Sequence, residues 1–259
     1  MSGELDGRHA LITGGAGGIG LATARMLMDH GARVTLAGRS AERLEIAVAD
    51  IGGTRRAQAR IADVTDEHEV NDAFESAAAA FGPITILVNS AGVAESAPFS
   101  KTDSALWNRH IATNLTGPFF CCKAVEAGMR HAGWGRIISI SSIAGLRGGA
   151  YIAAYCASKH GVIGLTRALA AEFAATGITV NAVCPGYVDT PMTDASVANI
   201  VAKTGMPADV ARAKLAGTNP QRRLLRPAEV AESVVSLCLL GSESVTGQAI
   251  VVAGDEAAG

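Results

Sequence analysis

The sequence predicts an α/β protein with a doubly wound parallel sheet, in which helices cover both faces and give three α/β/α layers. Short apolar runs alternate with helical segments along the whole chain. The runs are almost continuously apolar, as in strands that are buried on both faces. A glycine-rich turn separates the first run from the first helix. At 259 residues the chain is long enough for one large domain, so we predict about seven strands in a single domain over residues 1–259.

The first half of the chain predicts four strands. Gly31 and the pair Gly82-Pro83 follow two of the helical segments, and such residues are typical of helix ends. In chain order the elements are a strand in 8–13, a helix in 19–30, a strand in 34–37, a helix near 40–51, a strand in 57–62, a helix near 67–81 and a strand in 84–88.

The second half predicts three further strands and a lid. Residues 186–220 are irregular and contain several Pro, Gly, Thr and Asp residues. Because a connection of this length is often an active-site lid, we predict a helical lid at about 186–220; the alternative is a disordered insertion. The predicted strands are 136–140, 178–183 and 248–252, the helices lie near 103–131, 152–176 and 227–239, and the lid helices lie near 195–204 and 207–216.

Composition argues against several classes of partner. Only 18% of the residues are charged, the net charge is −2, and no basic run is interleaved with aromatic residues, so we expect no nucleic-acid partner. No apolar stretch approaches eighteen residues, so we expect no membrane span. The polar N-terminus lacks the apolar core of a signal peptide, and a cytoplasmic location is expected.

Cysteines and histidines give no sign of a disulfide framework or a metal site. The five cysteines are an odd number without a Cys-x-x-Cys pair, which is typical of free thiols in a reducing compartment. Cys156 is either a reactive thiol beside Tyr155 or a packing residue. The six histidines have no metal-ligand spacing, so no metal is expected. His160 points about 100° away from Lys159 on a helix, which favours a structural or solvent-facing role over that of a base.

The glycine-rich turn predicts a dinucleotide site. It follows the first strand, opens the first helix, and contains the spacing Gly15-x-Gly17-x-x-Gly20. Glycines there let the backbone approach a pyrophosphate at the helix N-terminus, as in a Rossmann fold. The alternative is a tight turn that binds nothing. The predicted cofactor contacts of the turn are Thr13, Gly14, Gly15, Gly17, Gly18, Ile19 and Gly20.

The residues after the second strand favour NADP. An acidic residue there binds the ribose 2′-hydroxyl of NAD, whereas an Arg accommodates the 2′-phosphate of NADP. This chain has Arg39 and Ser40 and no carboxylate at that point. NAD is still possible, since Arg39 could be a surface residue or stack on adenine.

Tyr155 and Lys159 suggest proton transfer. They are four residues apart and therefore share a face of the predicted helix, while Ser142 lies thirteen residues upstream. A phenol has an ordinary pKa of about 10, and a nearby ammonium is expected to lower the pKa of Tyr155 toward the range useful for catalysis. Ser142 could hold the oxygen whose proton moves.

Taken together, these motifs resemble the short-chain dehydrogenase/reductase family, in its single-domain branch, over almost the whole chain. Thr13, Gly14, Gly18 and Gly20 fit its Thr-Gly-x-x-x-Gly-x-Gly pattern. Asn89-Ser90-Ala91-Gly92 stands where the family usually has Asn-Asn-Ala-Gly. The further family positions are Asp63 and Val64 near the adenine, Asn114 in the catalytic set, and Pro185, Gly186, Val188 and Thr190 near the nicotinamide amide.

The resemblance implies hydride transfer between a nicotinamide and a carbonyl carbon, with Tyr155 exchanging the proton of the oxygen. Ser142 would hydrogen-bond that oxygen, and Asn114 would hold a water of the proton path. Lys159 would bind the nicotinamide ribose and lower the pKa of Tyr155. The resemblance also implies that Asn89, Ala91 and Gly92 contact the cofactor. It further implies a homotetramer, formed through the helices near 103–131 and 152–176 and the last strand.

The resemblance leaves the substrate open. The sequence is most like reductases of β-ketoacyl thioesters or polyketides, and it is also similar to 3-hydroxybutyrate and hydroxyacyl-CoA dehydrogenases that oxidise alcohols with NAD. Basic residues could steer a CoA or acyl-carrier arm, or they could be solvated surface charges. A cofactor-binding regulator without turnover and an epimerase or dehydratase are the alternatives from other classes. The candidate basic residues are Arg147, Lys203, Arg212, Lys214, Arg222 and Arg223.

Overall fold

The computed structural model describes residues 3–53 and 55–254. Within them, one sheet of seven parallel strands has the order β3-β2-β1-β4-β5-β6-β7. The predicted fold class is therefore confirmed. The strands are β1 (His9–Thr13), β2 (Arg33–Gly38), β3 (Ala57–Ile61), β4 (Ile86–Asn89), β5 (Gly135–Ile140), β6 (Ile178–Pro185) and β7 (Ala249–Val252).

The helices between these strands cover both faces of the sheet. They are α1 (Gly18–Asp29), α2 (Ala41–Asp50), α3 (Glu67–Phe81), α4 (Ser104–Ile111), α5 (Gly117–Ala132), α6 (Ala153–Glu172), α7 (Pro191–Thr204), α8 (Ala208–Ala216) and α9 (Pro227–Ser236). No helix in the described ranges is long and apolar enough to cross a membrane.

Two apolar clusters fill the two sides of the sheet. Successive side chains of a strand point to opposite faces, and in β1 Leu11 joins one cluster while Ile12 joins the other. Leu27 and Val234, from α1 and α9, pack with Ile12, whereas Phe74 from α3 packs with Leu11. This burial on both faces explains why the strands are apolar throughout.

The strand order reverses between β1 and β4, and this sets the position of the site. Thr13 at the end of β1 pairs with Ala37 on one side and Asn89 on the other. The loops that follow β1 and β4 therefore diverge to opposite faces and leave a crevice at the carboxyl ends of the strands. Ligands of doubly wound sheets bind in such crevices.

The long helix predicted near 103–131 is interrupted. A π turn at Ala112–Thr116 separates α4 from α5. In a regular α-helix the N–H of residue 118 would bond to the carbonyl of Asn114, but Pro118 has no N–H. The wider turn follows from that missing donor, and π turns are frequent at functional sites.

The predicted lid segment is helical, and the alternative of a disordered insertion is wrong. Helices α7 and α8 pack together around Val197, Ala211 and Leu215. Helix α7 begins at Pro191, four residues earlier than predicted, because proline is well suited to the first helical position.

Candidate active site

A cavity of about 730 Å³ lies at the carboxyl ends of the strands. It runs from the glycine turn after β1, past Ser142 and Tyr155, to the inner side of α7 and α8. The cavity thus joins the predicted cofactor residues to the predicted proton-transfer residues.

At Gly14 and Gly20 the glycine turn has no room for a side chain. Gly14 and Gly18 have φ angles of +65° and +54°, in the left-handed region that glycine tolerates. A Cβ on Gly14 would lie 2.8 Å from the backbone nitrogen of Ala91, and one on Gly20 would lie 2.5 Å from the carbonyl oxygen of Gly14. The bare backbone borders the cavity at the N-terminus of α1, so the turn fits the pyrophosphate of a dinucleotide.

A hydrogen-bonded threonine links the glycine turn to the loop after β4. The Thr13 hydroxyl accepts hydrogen bonds from the backbone N–H groups of Ser90 and Ala91, both at 3.2 Å. Asn89 is buried and donates to the Ser139 hydroxyl at 3.2 Å. Thr13 and Asn89 therefore shape the cavity from behind rather than lining it.

Arg39, Ser40 and Arg43 form a cationic corner next to the glycine turn. Ser40 caps α2 by accepting a hydrogen bond from the Arg43 N–H at 3.3 Å. The Arg43 Nη2 lies 3.4 Å from the position that a Cβ on Gly17 would occupy. Sequence reasoning missed Arg43, although its place in the first turn of a helix capped by Ser40 could have indicated it.

The structure divides the predicted cofactor residues into two groups. Asp63 turns partly toward Arg39, with 3.9 Å between its Oδ2 and the Arg39 Nη1, and Val64 packs against Gly117. Thr13, Gly15, Gly20, Asp63, Val64 and Asn89 lie outside the cavity wall. Gly14, Gly17, Gly18, Ile19, Arg39, Ser40, Ala91, Gly92, Tyr155, Lys159, Pro185, Gly186, Val188 and Thr190 line it.

Ser142, Tyr155 and Lys159 meet in the middle of the cavity. The Ser142 hydroxyl accepts a hydrogen bond from the Ala144 N–H at 3.1 Å and hydrogen-bonds to Tyr155. The Lys159 Nζ lies 5.7 Å from the centroid of the Tyr155 ring and donates to the Ile140 carbonyl at 2.7 Å. The i, i+4 spacing on α6 thus brings both groups into one site.

Burial controls the protonation of this pair. Burial raises the pKa of Tyr155 to about 12, and the Ser142 hydrogen bond offsets part of that rise. Burial also lowers the pKa of Lys159 to about 8. The pKa of Tyr155 is therefore raised in this structure and not lowered as expected, because burial disfavours the charged phenolate.

Asn114 lies in the π turn and holds the loop after β4. Its Oδ1 accepts from the Val93 N–H at 2.8 Å, and its Nδ2 donates to the Val93 carbonyl at 2.9 Å and the Ser158 hydroxyl at 3.0 Å. A Cβ on Gly92 would lie 3.3 Å from the Asn114 Oδ1 and 3.8 Å from the Lys159 Nζ. Asn114 and Lys159 therefore approach each other around Gly92.

His110 is a second residue that sequence reasoning missed. It is 1% exposed, and its ring meets the Tyr155 ring edge-on with centroids 6.3 Å apart. Its spacing of four residues from Asn114 is the signal that could have indicated it. His160, in contrast, is exposed and hydrogen-bonds through Nδ1 to the Cys156 carbonyl of its own helix.

All five cysteines are free; Cys156 is half-buried and the other four are buried. Among the described residues, no group of three or more His, Cys, Asp or Glu side chains could hold a metal ion.

Only one of the six candidate basic residues, Arg147, lines the main cavity. Lys203 lines a smaller pocket beside it and donates to the Ser96 carbonyl. Arg212 pairs with Asp189 and Asp194, and Arg223 pairs with Glu229. At least half of the six are thus committed to contacts within the protein.

Comparison with known proteins is consistent across sequence and structure. The family model described as short chain dehydrogenase matches residues 8–200. The chain is 43% identical to cis-4-hydroxycyclohexanecarboxylate dehydrogenase of Sinomonas cyclohexanicum, over 95% of each chain. It is 38% identical to a putative ketoacyl reductase of Streptomyces coelicolor, over 96% of this chain and 97% of that one. A crystal structure of a variant actinorhodin polyketide ketoreductase with NADPH superposes with a TM-score of 0.93, at 37% identity and 99% coverage of both chains.

Proposed function

The chain belongs to the short-chain dehydrogenase family, and from that premise we propose which residues carry its reaction and which substrate and cofactor it uses. It is an oxidoreductase that interconverts a ketone and a secondary alcohol with a nicotinamide cofactor. The observation that carries the proposal is the single cavity that joins the glycine turn to Ser142, Tyr155 and Lys159.

Tyr155 is the proton donor for reduction. With a pKa of about 12 its hydroxyl keeps the proton at neutral pH, so Oη can give it to the oxygen of a ketone being reduced. Ser142, hydrogen-bonded to the same hydroxyl, orients that oxygen. Lys159 has a pKa of about 8, is largely protonated at pH 7, and stabilises the phenolate left behind. Asn114 would hold a water of the proton path next to Lys159.

The cofactor is NADP, with NAD as the alternative. The nicotinamide, when bound, supplies or accepts the hydride. Arg39 and Arg43 give two guanidinium groups beside the glycine turn, and Ser40 adds a hydroxyl. Guanidinium groups bind phosphate oxygens in paired, charge-assisted hydrogen bonds, which favours a cofactor with a 2′-phosphate.

The substrate is a 3-oxoacyl thioester on CoA or an acyl carrier, or a polyketide-type ketone. Support comes from the likeness to ketoacyl and polyketide ketoreductases. The lid proposed at residues 186–220 would cover the substrate, since Met192, Asn199 and Leu215 face the cavity.

A second candidate is a small hydroxy or keto acid. It is favoured by Arg147, the one candidate basic residue that lines the main cavity and a suitable partner for a carboxylate. The likeness to a hydroxycyclohexanecarboxylate dehydrogenase points the same way. A compact acid would need no cationic track outside the cavity, and at least half of the candidate residues for such a track are already bonded.

The assembly and location are also proposed. We propose one domain over residues 1–259 in a homotetramer, supported by the exposed Trp107 and Phe119 on α4 and α5 and by the partly exposed edge strand β7. A cytoplasmic location is supported by five free thiols. Light scattering tests the assembly: a mass near 26 kDa would rule out a tetramer.

The test is a turnover screen with NADPH and NADH against acetoacetyl-CoA, 4-oxocyclohexanecarboxylate and cyclohexanone. We expect oxidation of NADPH with at least one ketone, and a loss of about a thousandfold or more in kcat for Tyr155→Phe, which still binds NADPH. Wild-type protein that binds NADPH but reduces none of the panel would favour a regulator. Isomerisation without a change in NADPH absorbance would favour an epimerase.

A further inference from the structure

Residues 93–96 form one wall of the cavity, which we name the β4 wall. Ala94, Glu95 and Ser96 face the cavity. The wall is held from two sides: α7 reaches Ser96 through Asn199, whose Nδ2 is 2.9 Å from the Ser96 hydroxyl, and the helix before the π turn reaches Glu95. Its position therefore depends on side chains of other elements.

His110 is the side chain that reaches the backbone of Glu95. Its Nδ1 lies 2.8 Å from the Leu106 carbonyl and its Nε2 lies 3.1 Å from the Glu95 N–H. A carbonyl can only accept and an N–H can only donate, so the ring is the neutral tautomer with its proton on Nδ1. The acceptor at Nε2 is thereby dedicated to the β4 wall.

The same imidazole also contacts the proton donor. Its ring and the Tyr155 ring meet edge-on, with an interplanar angle of 82° and centroids 6.3 Å apart. Edge-to-face pairs restrict the orientation of both rings beyond the effect of burial alone. One buried side chain thus contacts the Tyr155 ring on one side and the substrate wall on the other.

We propose that His110 is a positioning residue that fixes the distance between the β4 wall and the Tyr155 ring, and so helps to determine which ketones fit. This rests on the function proposed above, in which Tyr155 donates the proton. The two contacts have separate consequences. The Nε2 bond places the wall that the substrate binds, which acts on KM, whereas the ring contact aims Tyr155, which acts on kcat.

Two substitutions separate the contacts. His110→Phe keeps a ring against Tyr155 and removes the acceptor for the Glu95 N–H. His110→Gln keeps an acceptor at the position of Nε2 and removes the ring. His160→Gln is the control, since His160 is exposed one residue from Lys159 and bonds only within its own helix among the contacts described.

Steady-state kinetics with NADPH and the panel ketone that wild type reduces fastest is the measurement. We expect His110→Phe to raise KM for the ketone about five- to tenfold with kcat within about twofold of wild type. We expect His110→Gln to lower kcat about three- to tenfold with KM nearly unchanged. Neither should change KM for NADPH, and His160→Gln should match wild type.

The outcomes are distinguishable. The positioning role would be overturned, while the proposed function stood, by wild-type kinetics in both His110 variants. The same outcome would follow if both variants showed the same decrease in kcat and the same increase in KM. If one variant fails to fold by thermal melting, the other still tests its own contact. A wild-type protein that is inactive on the whole panel would overturn the proposed function, and this inference with it.

Discussion

The glycine turn and residues 186–220, the proposed lid, both line one cavity, and they are held in place in different ways. In the glycine turn the backbone is fixed by steric limits: Gly14 has a φ of +65°, and a Cβ on Gly20 would overlap the Gly14 carbonyl. The lid is held by side chains, with an apolar cluster around Val197 and ion pairs from Arg212. Steric limits therefore exclude side chains at Gly14 and Gly20, whereas residues 186–220 are held by contacts between side chains.

This difference separates what is common to the reaction from what is particular to the substrate. A pyrophosphate needs bare backbone N–H groups at a helix N-terminus, and only glycine supplies the close approach. The lid proposed at residues 186–220 would instead match a substrate, so its side chains can change while the fold is kept. Three substitutions test the contrast, beginning with the largest expected effect.

Gly20→Ala should remove cofactor binding. The added Cβ would lie 2.5 Å from the Gly14 carbonyl oxygen, a backbone atom that cannot move without displacing the turn. We expect the Kd for NADPH to rise at least about a hundredfold, and stability to fall by about 1–3 kcal/mol. Fluorescence titration and thermal melting measure these effects. The control is Gly128→Ala, whose Cβ would make only an ordinary contact with Pro83 at 3.9 Å; a similar loss there would contradict the steric explanation.

Arg43→Ala should have an intermediate effect that depends on the cofactor. Without its guanidinium beside the glycine turn, we expect KM for NADPH to rise about ten- to a hundredfold and KM for NADH to change little. Steady-state kinetics with each cofactor measures the ratio. The control is Arg25→Ala, which removes another exposed guanidinium, one that is paired with Asp50. It should change neither the KM for NADPH nor the KM for NADH. Equal losses with NADPH and NADH would show that Arg43 does not read the 2′-phosphate.

Arg212→Ala should have the smallest effect and act only through the lid. Arg212 joins the start of α7 to α8 through Asp189 and Asp194, but exposed ion pairs contribute little to stability. We expect a nearly unchanged Tm, a two- to fivefold higher KM for the ketone and faster cleavage within 186–220 in limited proteolysis. Lys123→Ala, which breaks an exposed pair with Glu67, is the control. A lid that is cleaved no faster than in wild type would show that these ion pairs do not hold it.

The same contrast explains how far sequence reasoning reached. The glycine turn and the Tyr155 and Lys159 pair could be predicted because each follows from local spacing: a strand-to-helix turn in one case, one helix face in the other. The helical pieces of the lid were also predicted near their observed positions, since their helical patterns are local. The contacts of this segment with the rest of the chain were not predictable, because they join distant residues, as the hydrogen bond between Asn199 and Ser96 does.

The residues and the pKa that were not predicted depend on tertiary contacts and burial. Arg43 and His110 have only weak signals of local spacing in the sequence, and their contacts become clear when α2 and α4 are placed against other elements. The pKa of Tyr155 depends on burial, which spacing does not reveal, and so the predicted lowering was wrong. The π turn precedes Pro118, which has no N–H for the Asn114 carbonyl, and a search for amphipathic helices overlooks that break.

That π turn also rotates the faces of α4 relative to the faces of α5, which continues the same helical segment. A π turn contains about one residue more than an α turn, and one residue corresponds to about 100° of rotation around a helix. Because of this offset, α4 can present His110 to the Tyr155 ring while α5 turns Cys121 and Val125 onto the sheet. Losing one residue from 112–116 would rotate these two surfaces against each other by about 100°. The register of the chain, and not only the identity of its side chains, is therefore part of the site.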